Sequence, residues 1–365
     1  FDFTRASSAT VVNKAGLIET VGSGEPRIDF SNNAKGALLL EPTRSNLTLY
    51  SQDLSNSYWA KQNGVITSNA IDSPSGVQNA DLFTENNSTS DHALFDIVSY
   101  FVSGTTYTVS FFAKSNGRTK IELASANSGI CPTGRFDLES KTADATNTSF
   151  GAKIEDYGNG WFKCSVSRVA NNSGIDLPYY ATVINFGVLN YTGNGTSGMY
   201  FWGMQTEQGS YATSYIPTQG SAVTRVADVC NNGGNEQVIN STEGVLYAEL
   251  STLASDSVER FVSLSNGSVL NRVSLWYYAA TNGLAVAVYS GNVSQFFTTT
   301  VLANDTLNNK IAIKYKLNDF SLVINGVVIA TDTNGNTPIE LNKLSFNKGD
   351  GNLPFYGNIK DVRVY

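Results

Sequence analysis

The chain has 365 residues, 15% of them charged and 11% aromatic, and a formal net charge of −7. That length suits about two domains, and the acidic balance excludes a nucleic-acid binder, whose phosphate contacts need a basic stripe. No apolar run approaches the ~18–20 residues of a membrane-spanning helix.

Gly, Ser, Thr and Asn fill the place of the missing charges. This is the composition of a strand- and turn-rich protein, in which β-branched and aromatic residues pave pleated faces and Asn or Gly close tight turns. The aromatic content supplies bulk for sizeable cores and argues against disorder. A chain that begins at Phe1 reads as processed or as an excerpt of a longer protein, and no signal-peptide pattern is visible.

Residues 1–37 read as an extended N-terminal segment, strand fragments and turns with too little apolar content to fold alone. They either wrap the next domain or form a neck with neighbouring subunits. Thr4-Arg5-Ala6 is echoed by Thr224-Arg225-Val226-Ala227, which places the first and last segments of this part near each other. Residues 38–230 read as a jelly-roll domain. Alternation over 107–114, the turn Ser115-Asn116-Gly117-Arg118 and a return over 120–123 predict a hairpin. Further strands are predicted at 134–138, 161–168, 180–189 and 199–205. In the last of these, Met199, Phe201 and Gly203 share one face and Tyr200, Trp202 and Met204 the other. A polar, proline-stopped stretch follows as a long tied-down exit. After a polar break at 231–235, residues 236–365 read as a second sandwich with strands at the 8–12-residue rhythm. They are predicted at 244–250, 260–265, 272–279, 283–289, 295–300, 309–316, 319–324, 327–331, 341–346 and 357–364. Asn325-Gly326 signals a type I′ hairpin, since both central residues need positive φ. No helical periodicity persists over a dozen residues, so helices should be short and few.

Catalytic chemistry is poorly supplied. His92 is the only histidine, and in Ser90-Asp91-His92 adjacent strand residues point to opposite faces, so the tripeptide is not a triad. Three scattered cysteines and one histidine fall short of a zinc site. Cys164, in phase with Phe162 and Val166, reads as a buried free thiol, and the odd count of three does not support a disulfide framework. No strand carries alternating carboxylates that would bring acid and nucleophile onto one face; Glu155-Asp156 are adjacent, in a turn-like segment. Gly193-Asn194-Gly195 is a turn with no helix behind it to form a phosphate loop. No cofactor is expected. A calcium ion bridging loop carboxylates is left open near Asp332, Asp350 or Asp305, where no spacing singles out a site.

That leaves binding. Sugars present apolar C–H faces to flat rings, while polar side chains satisfy their hydroxyls. In the 272–279 strand, Val273, Leu275 and Tyr277 share the core face; Ser274, Trp276 and Tyr278 project to the other. Trp276 and Tyr278 are a ligand platform or a subunit contact, unless the core assignment is reversed. Tyr200 and Trp202 admit the same readings, with core packing favoured. Trp59 and Trp161 read as structural anchors.

Several strings recur together and in order: Phe3-Thr4-Arg5-Ala6-Ser7-Ser8-Ala9-Thr10, Pro26-Arg27-Ile28-Asp29-Phe30, Leu38-Leu39-Leu40-Glu41-Pro42-Thr43-Arg44-Ser45-Asn46-Leu47, Tyr50-Ser51-Gln52-Asp53-Leu54-Ser55-Asn56 and Gly160-Trp161-Phe162-Lys163-Cys164-Ser165-Val166. With Trp202-Gly203-Met204-Gln205-Thr206-Glu207 and Tyr211-Ala212-Thr213-Ser214-Tyr215-Ile216-Pro217-Thr218, they resemble jelly-roll proteins of bacteriophage tails and other virion surfaces. The family's Gln-Leu-Glu reads Gln205-Thr206-Glu207 here, a change expected at the surface. Asn318–Val327 and Gly357–Tyr365 resemble the hairpin and closing strand of concanavalin-type, laminin G-like lectin domains. The two resemblances imply an all-β protein of two tandem β-sandwiches. They further imply a non-catalytic tail-fibre, spike or appendage subunit at the virion surface, working outside the cell. Its implied partners are host surface glycans and other virion proteins, with a homo-oligomer, a trimer above all, as the vehicle. A purely structural decoration or scaffolding subunit is the alternative. In a phage protein made in bacterial cytoplasm, Asn-x-Ser/Thr triplets such as Asn190-Tyr191-Thr192 would stay bare.

Overall fold

The computed structural model describes residues 1–31, 34–97, 99–125, 129–278 and 282–365. Among the described residues every regular element is a strand, and no helix is long and apolar enough to cross a membrane. The chain is all-β. It divides into one unit of residues 9–20 and 43–225 and another of residues 1–8, 21–42 and 226–365.

The first unit is a sandwich of two six-stranded sheets. One runs Thr142–Ala145, Gly134–Asp137, Lys120–Ser125, Pro178–Val183, His92–Asp96, Trp59–Gln62; the other runs Phe150–Asp156, Phe162–Val169, Thr106–Asn116, Gly198–Gln208, Gln78–Glu85, Gly64–Asp72. Between them lie Val109, Phe111, Ile121, Leu123, Phe136, Tyr180 and Phe201. Phe111 packs edge-on to Phe136 and Tyr180 at 5.5 and 5.2 Å, the T-shaped geometry that ring quadrupoles favour.

The hairpin predicted over 107–123 does not form. Thr106–Asn116 already pairs with Phe162–Val169 on one side and Gly198–Gln208 on the other, so it has no free edge for its successor. The chain turns at Gly117, φ +85°, and Lys120–Ser125 joins the opposite sheet beside Pro178–Val183. The turn signal was read correctly and the sheet was not. The strand expected at 180–189 ends at Val183.

The alternation predicted at 199–205 breaks at Gly203. This residue has φ +62°, and the pairing register shifts opposite it between Ser110 and Phe112, a β-bulge. Met204 therefore joins Met199 and Phe201 in the core rather than Trp202 on the other face. A Cβ at Gly203 would lie 2.9 Å from Phe112, so glycine is required twice over. Thr206, expected at the surface, is 1% exposed: its N–H donates to Asn46 Oδ1 and its hydroxyl accepts from Thr48.

The second unit packs a seven-stranded sheet on a five-stranded one. The first runs Val327–Asp332, Phe320–Ile324, Asn309–Lys316, Glu243–Thr252, Gly357–Val364, Ala37–Leu40, Ile28–Asp29; the second runs Val293–Val301, Gly283–Ser290, Arg272–Tyr277, Arg260–Ser265, Lys343–Ser345. In Asn309–Lys316, Ile311, Ile313 and Tyr315 are buried while Lys310 and Lys316 are exposed. Each such isoleucine contributes about 1.5–3 kcal/mol. Asn325 and Gly326 both have positive φ, as the hairpin reading required.

The N-terminal segment over 1–37, expected to wrap the next domain or form a neck, is shared between the units. Asp2–Thr4 pairs with Val229–Asn231, and Ile28–Asp29 with Ala37–Leu40 extends the seven-stranded sheet beyond Gly357–Val364. The polar run at 231–235, read as a break, lies inside the second unit, with Gly233 bridged to Leu344. The Arg5 and Val226 neighbourhoods meet, as the echo between them suggested: Val226 N–H donates to Ser7 Oγ. Beneath them is a buried ion cluster. Arg5 Nη1 reaches Asp228 Oδ1 at 3.0 Å, Arg27 pairs with Asp228 and with Glu41 (2.6 Å), and Glu41 N–H donates to Asp228 Oδ2.

Candidate functional site

The residues singled out for binding fall in two places, one a core and one a sheet face. In the 43–225 unit, Trp202 is 1% exposed. Its ring lies 4.5 Å from Tyr215 and 5.3 Å from Phe112, so it is core and no platform for a ligand. Tyr200 is half-buried against the same cluster. What covers Trp202 is the polar exit itself. Thr213 donates its N–H and hydroxyl to Glu207, Ile216 N–H donates to Gln205 Oε1, and Tyr215 and Ser51 share a hydroxyl hydrogen bond of 2.6 Å. Burial pushes the Glu207 carboxyl up, against the hydrogen bonds from Thr213 that pull it down. Trp59 and Trp161 are buried, their ring nitrogens held by the carbonyls of Tyr50 and Asp72, as expected of structural anchors.

The second place is the outward face of the five-stranded sheet. Val273, Leu275 and Tyr277 point into the core, so Trp276 points out. The register sets Phe261 beside Trp276 and places Ser263, Ser274, Ala287 and Phe297 in one row across the sheet. The Trp276 ring stacks on Phe261 at 4.8 Å and 9°. Phe297 stands on its other side at 6.2 Å and 31°. One face of Trp276 is therefore taken by Phe261, and the ring most open to a ligand is Phe297, 56% exposed on the edge strand. Sequence reasoning missed Phe261 and Phe297. They lie well away from Trp276 in sequence, and only the strand register brings them to it.

Ser274 cannot serve as a hydroxyl donor to a ligand, because it is fully buried between Ser263 and Ala287 and turns to the Ala287 carbonyl at 3.5 Å. Tyr278 has already left the strand, which ends at Tyr277. It is half-buried and makes none of the ring contacts of the aromatic row. Ala279, the predicted end of this strand, lies outside the described residues.

Cations border this face. The loop after Lys343–Ser345 folds over it, with Ser263 and Ser265 hydroxyls donating to the Asn347 and Gly349 carbonyls. This brings Lys348 Nζ to 5.6 Å from the Phe261 ring centre. Arg272 lies over the Tyr289 ring at 4.1 Å and donates Nη1 to the Val269 carbonyl. Burial holds its guanidinium below the usual arginine value, with the Tyr289 and Asp350 charges acting the other way.

Elsewhere the chemistry is structural. His92 is fully buried against Tyr191, its ring nitrogens without hydrogen-bond partners. The three cysteines are buried free thiols. Glu155 and Asp156 end a strand rather than lying in a turn, and Asp156 pairs with Lys141 at 2.8 Å. Among the described residues no three His, Cys, Asp or Glu side chains converge to hold a metal, at Asp305, Asp332, Asp350 or elsewhere. A cavity of about 640 Å³ is lined by polar backbone and side chains of residues 236–241 and 340–342. Another of about 570 Å³ lies beside Tyr157, Lys114 and the anchored Trp161.

No protein-family model matches the chain, and no curated protein does. Among solved structures, sheep galectin-11 in complex with glycerol aligns with 35% of this chain and 93% of its own, at 10% identity and a TM-score of 0.27. Mouse laminin α1 chain, domains LG4-5, aligns with 77% of this chain and 88% of its own, at 11% identity and a TM-score of 0.28. Likenesses this weak carry no inference beyond the strand content already described.

Proposed function

We propose that this chain is a non-catalytic, glycan-binding protein of a bacteriophage surface, a tail-fibre, spike or appendage subunit that attaches to host polysaccharide. The observation that carries the reading is the aromatic row Phe261–Trp276–Phe297, rigid on one side and open at Phe297. The ordered motifs that resemble virion-surface jelly-rolls supply the location. A ring covering about 60 Å² of sugar contributes roughly 1.5 kcal/mol. A few such contacts with hydrogen bonds reach about millimolar affinity, so attachment needs several copies on one particle. A homo-oligomer, a trimer above all, provides them.

A glycan array probed with the oligomer tests this. Binding that falls about tenfold in Phe297→Ala, as loss of ~1.5 kcal/mol requires, is the expected result. An oligomer that coats susceptible cells yet binds no glycan overturns it. One observation favours the alternative of a structural virion subunit: the edge strand Val293–Val301 carries no charge and exposes Val293 and Val301, a surface suited to protein contacts. Crosslinking that places this strand against another virion protein would support that reading.

A further inference from the structure

We infer that the glycan taken by this face is acidic, bearing carboxylate or sulfate groups; the inference rests on the reading that the face binds sugar at all. The five strands of this sheet contain no Asp or Glu, in a chain with 31 acidic residues against 24 basic ones. The outward side of the same sheet carries cations. Arg272 lies opposite Ser265, and Ser265 opposite Lys343, so Lys343 and Arg272 flank one row across three strands, about 10 Å apart at ~4.8 Å per strand. Arg272 and Trp276 share a face of one strand four residues apart, about 13 Å at 3.3 Å per residue. Lys348 completes the set at the Phe261 end.

A cationic row thus runs alongside the aromatic row at the reach of an oligosaccharide rather than of a single ring. Arg272 is 6% exposed and held by the Tyr289 ring and the Val269 carbonyl, whereas Lys343 and Lys348 are only half-buried. No carboxylate lies within ion-pair distance of Arg272, Lys343 or Lys348 among the described residues. Asp350, on the covering loop, is an acid whose field reaches both Arg272 and Lys348, and its two oxygens also accept from the Asn352 backbone and side chain at 3.0 Å each. The ammonium groups of Lys343 and Lys348, half-buried and outside any ion pair among the described residues, are the ones able to donate charge-assisted hydrogen bonds to an incoming anion, with Arg272 adding its charge from below. The apolar sugar edge lies on Phe297 and Trp276 while its acid group meets Lys343 or Lys348.

The test titrates the oligomer with oligogalacturonate and with the same oligomers after carboxyl reduction, which removes charge and keeps the sugar. The acidic form should bind about tenfold more tightly in low salt, equivalent to 1.4 kcal/mol, and lose that advantage in 0.5 M salt by screening. The double variant Lys343→Ala/Lys348→Ala, at half-buried positions, should lose the advantage, its affinity for the acidic oligomer falling to that for the reduced one. Phe297→Ala should weaken both. Equal affinity for the two forms, or an advantage that survives in the double variant, overturns the inference. So does a DNA oligonucleotide that competes as well as the acidic sugar, since the face would then be a general polyanion surface. Binding of neither form also overturns it, and neutral sugars bound on the array would leave the underlying reading standing.

Discussion

Asp228 is the residue on which the second unit's N-terminal strands depend, and replacing it with Asn tests that dependence. Its two oxygens accept from Arg5, Arg27 and the Glu41 N–H, and Arg5 and Arg27 are 2% and 0% exposed. Asn keeps the shape but presents one acceptor and two donors, so two buried guanidiniums meet an amide in place of a shared carboxylate. Breaking a buried ion pair from one side costs about 3–5 kcal/mol. With a urea dependence of ~2 kcal/mol per molar, the midpoint of this unit should fall by about 2 M. Pulse proteolysis in urea measures it and assigns each cleavage to a unit by fragment. The control is Glu243→Gln, whose exposed pair with Lys316 should leave the midpoint unresolved from wild type. A loss under ~1 kcal/mol for Asp228→Asn would show that the cluster is no more than a surface-grade pairing, and that the sheet contacts alone hold residues 1–8 and 21–42.

Two further substitutions probe the 43–225 unit. Gly203→Ala puts a Cβ 2.9 Å from Phe112 at φ +62° and should cost about 2–4 kcal/mol in thermal or chemical unfolding; a neutral result would mean that the bulge relaxes. Glu207→Gln tests the pH dependence. Because burial raises the folded carboxyl above its ordinary 4.5, its contribution is fully present below that value and is lost as pH rises through the folded pKa. The variant escapes that loss, so its stability relative to wild type should rise between about pH 4 and 7. Denaturation midpoints at the two pH values decide it, and a difference that stays constant would refute the assignment.

The rhythm of half-buried strands was legible wherever one face is core and the other polar. Asn309–Lys316 falls on its predicted bounds, because alternation reports the pleat directly; Gly357–Val364 does so too, as does Arg260–Ser265, which is buried on both faces. What alternation does not report is the partner. Gly117 marked the turn after the 106–116 strand, but the choice of sheet depended on edges already filled by strands far along the chain. The Gly203 bulge reversed the phase of one strand by a single residue, and no local pattern announces that. Asp2–Thr4 and Ala37–Leu40 pair with strands more than 200 positions away, beyond any window over which periodicity is read. The site shows the same division. Trp276 was legible as outward-facing from its own strand, whereas Phe261, Phe297 and the loop that carries Lys348 required the register.

The string from Trp202 to Thr218 is distinctive because nearly every polar letter in it is spent inside the fold. Gln205, Glu207, Thr213 and Tyr215 bond to one another, to Ser51 or to the backbone, and together they seal Trp202. Such a segment is constrained by geometry whatever the protein contacts, so its resemblance to virion-surface jelly-rolls speaks to architecture and leaves the ligand open. Specificity has to reside where side chains are free to vary without opening the sandwich. On the five-stranded face, Phe297 is more than half exposed while Ala285 and Ala287 beneath it are nearly or fully buried: the floor is fixed by packing and the ring above it is not. On the proposed reading, a change at Phe297, Lys343 or Lys348 should alter ligand binding and leave the core contacts in place. A change at Glu207 or Gly203 would do the reverse.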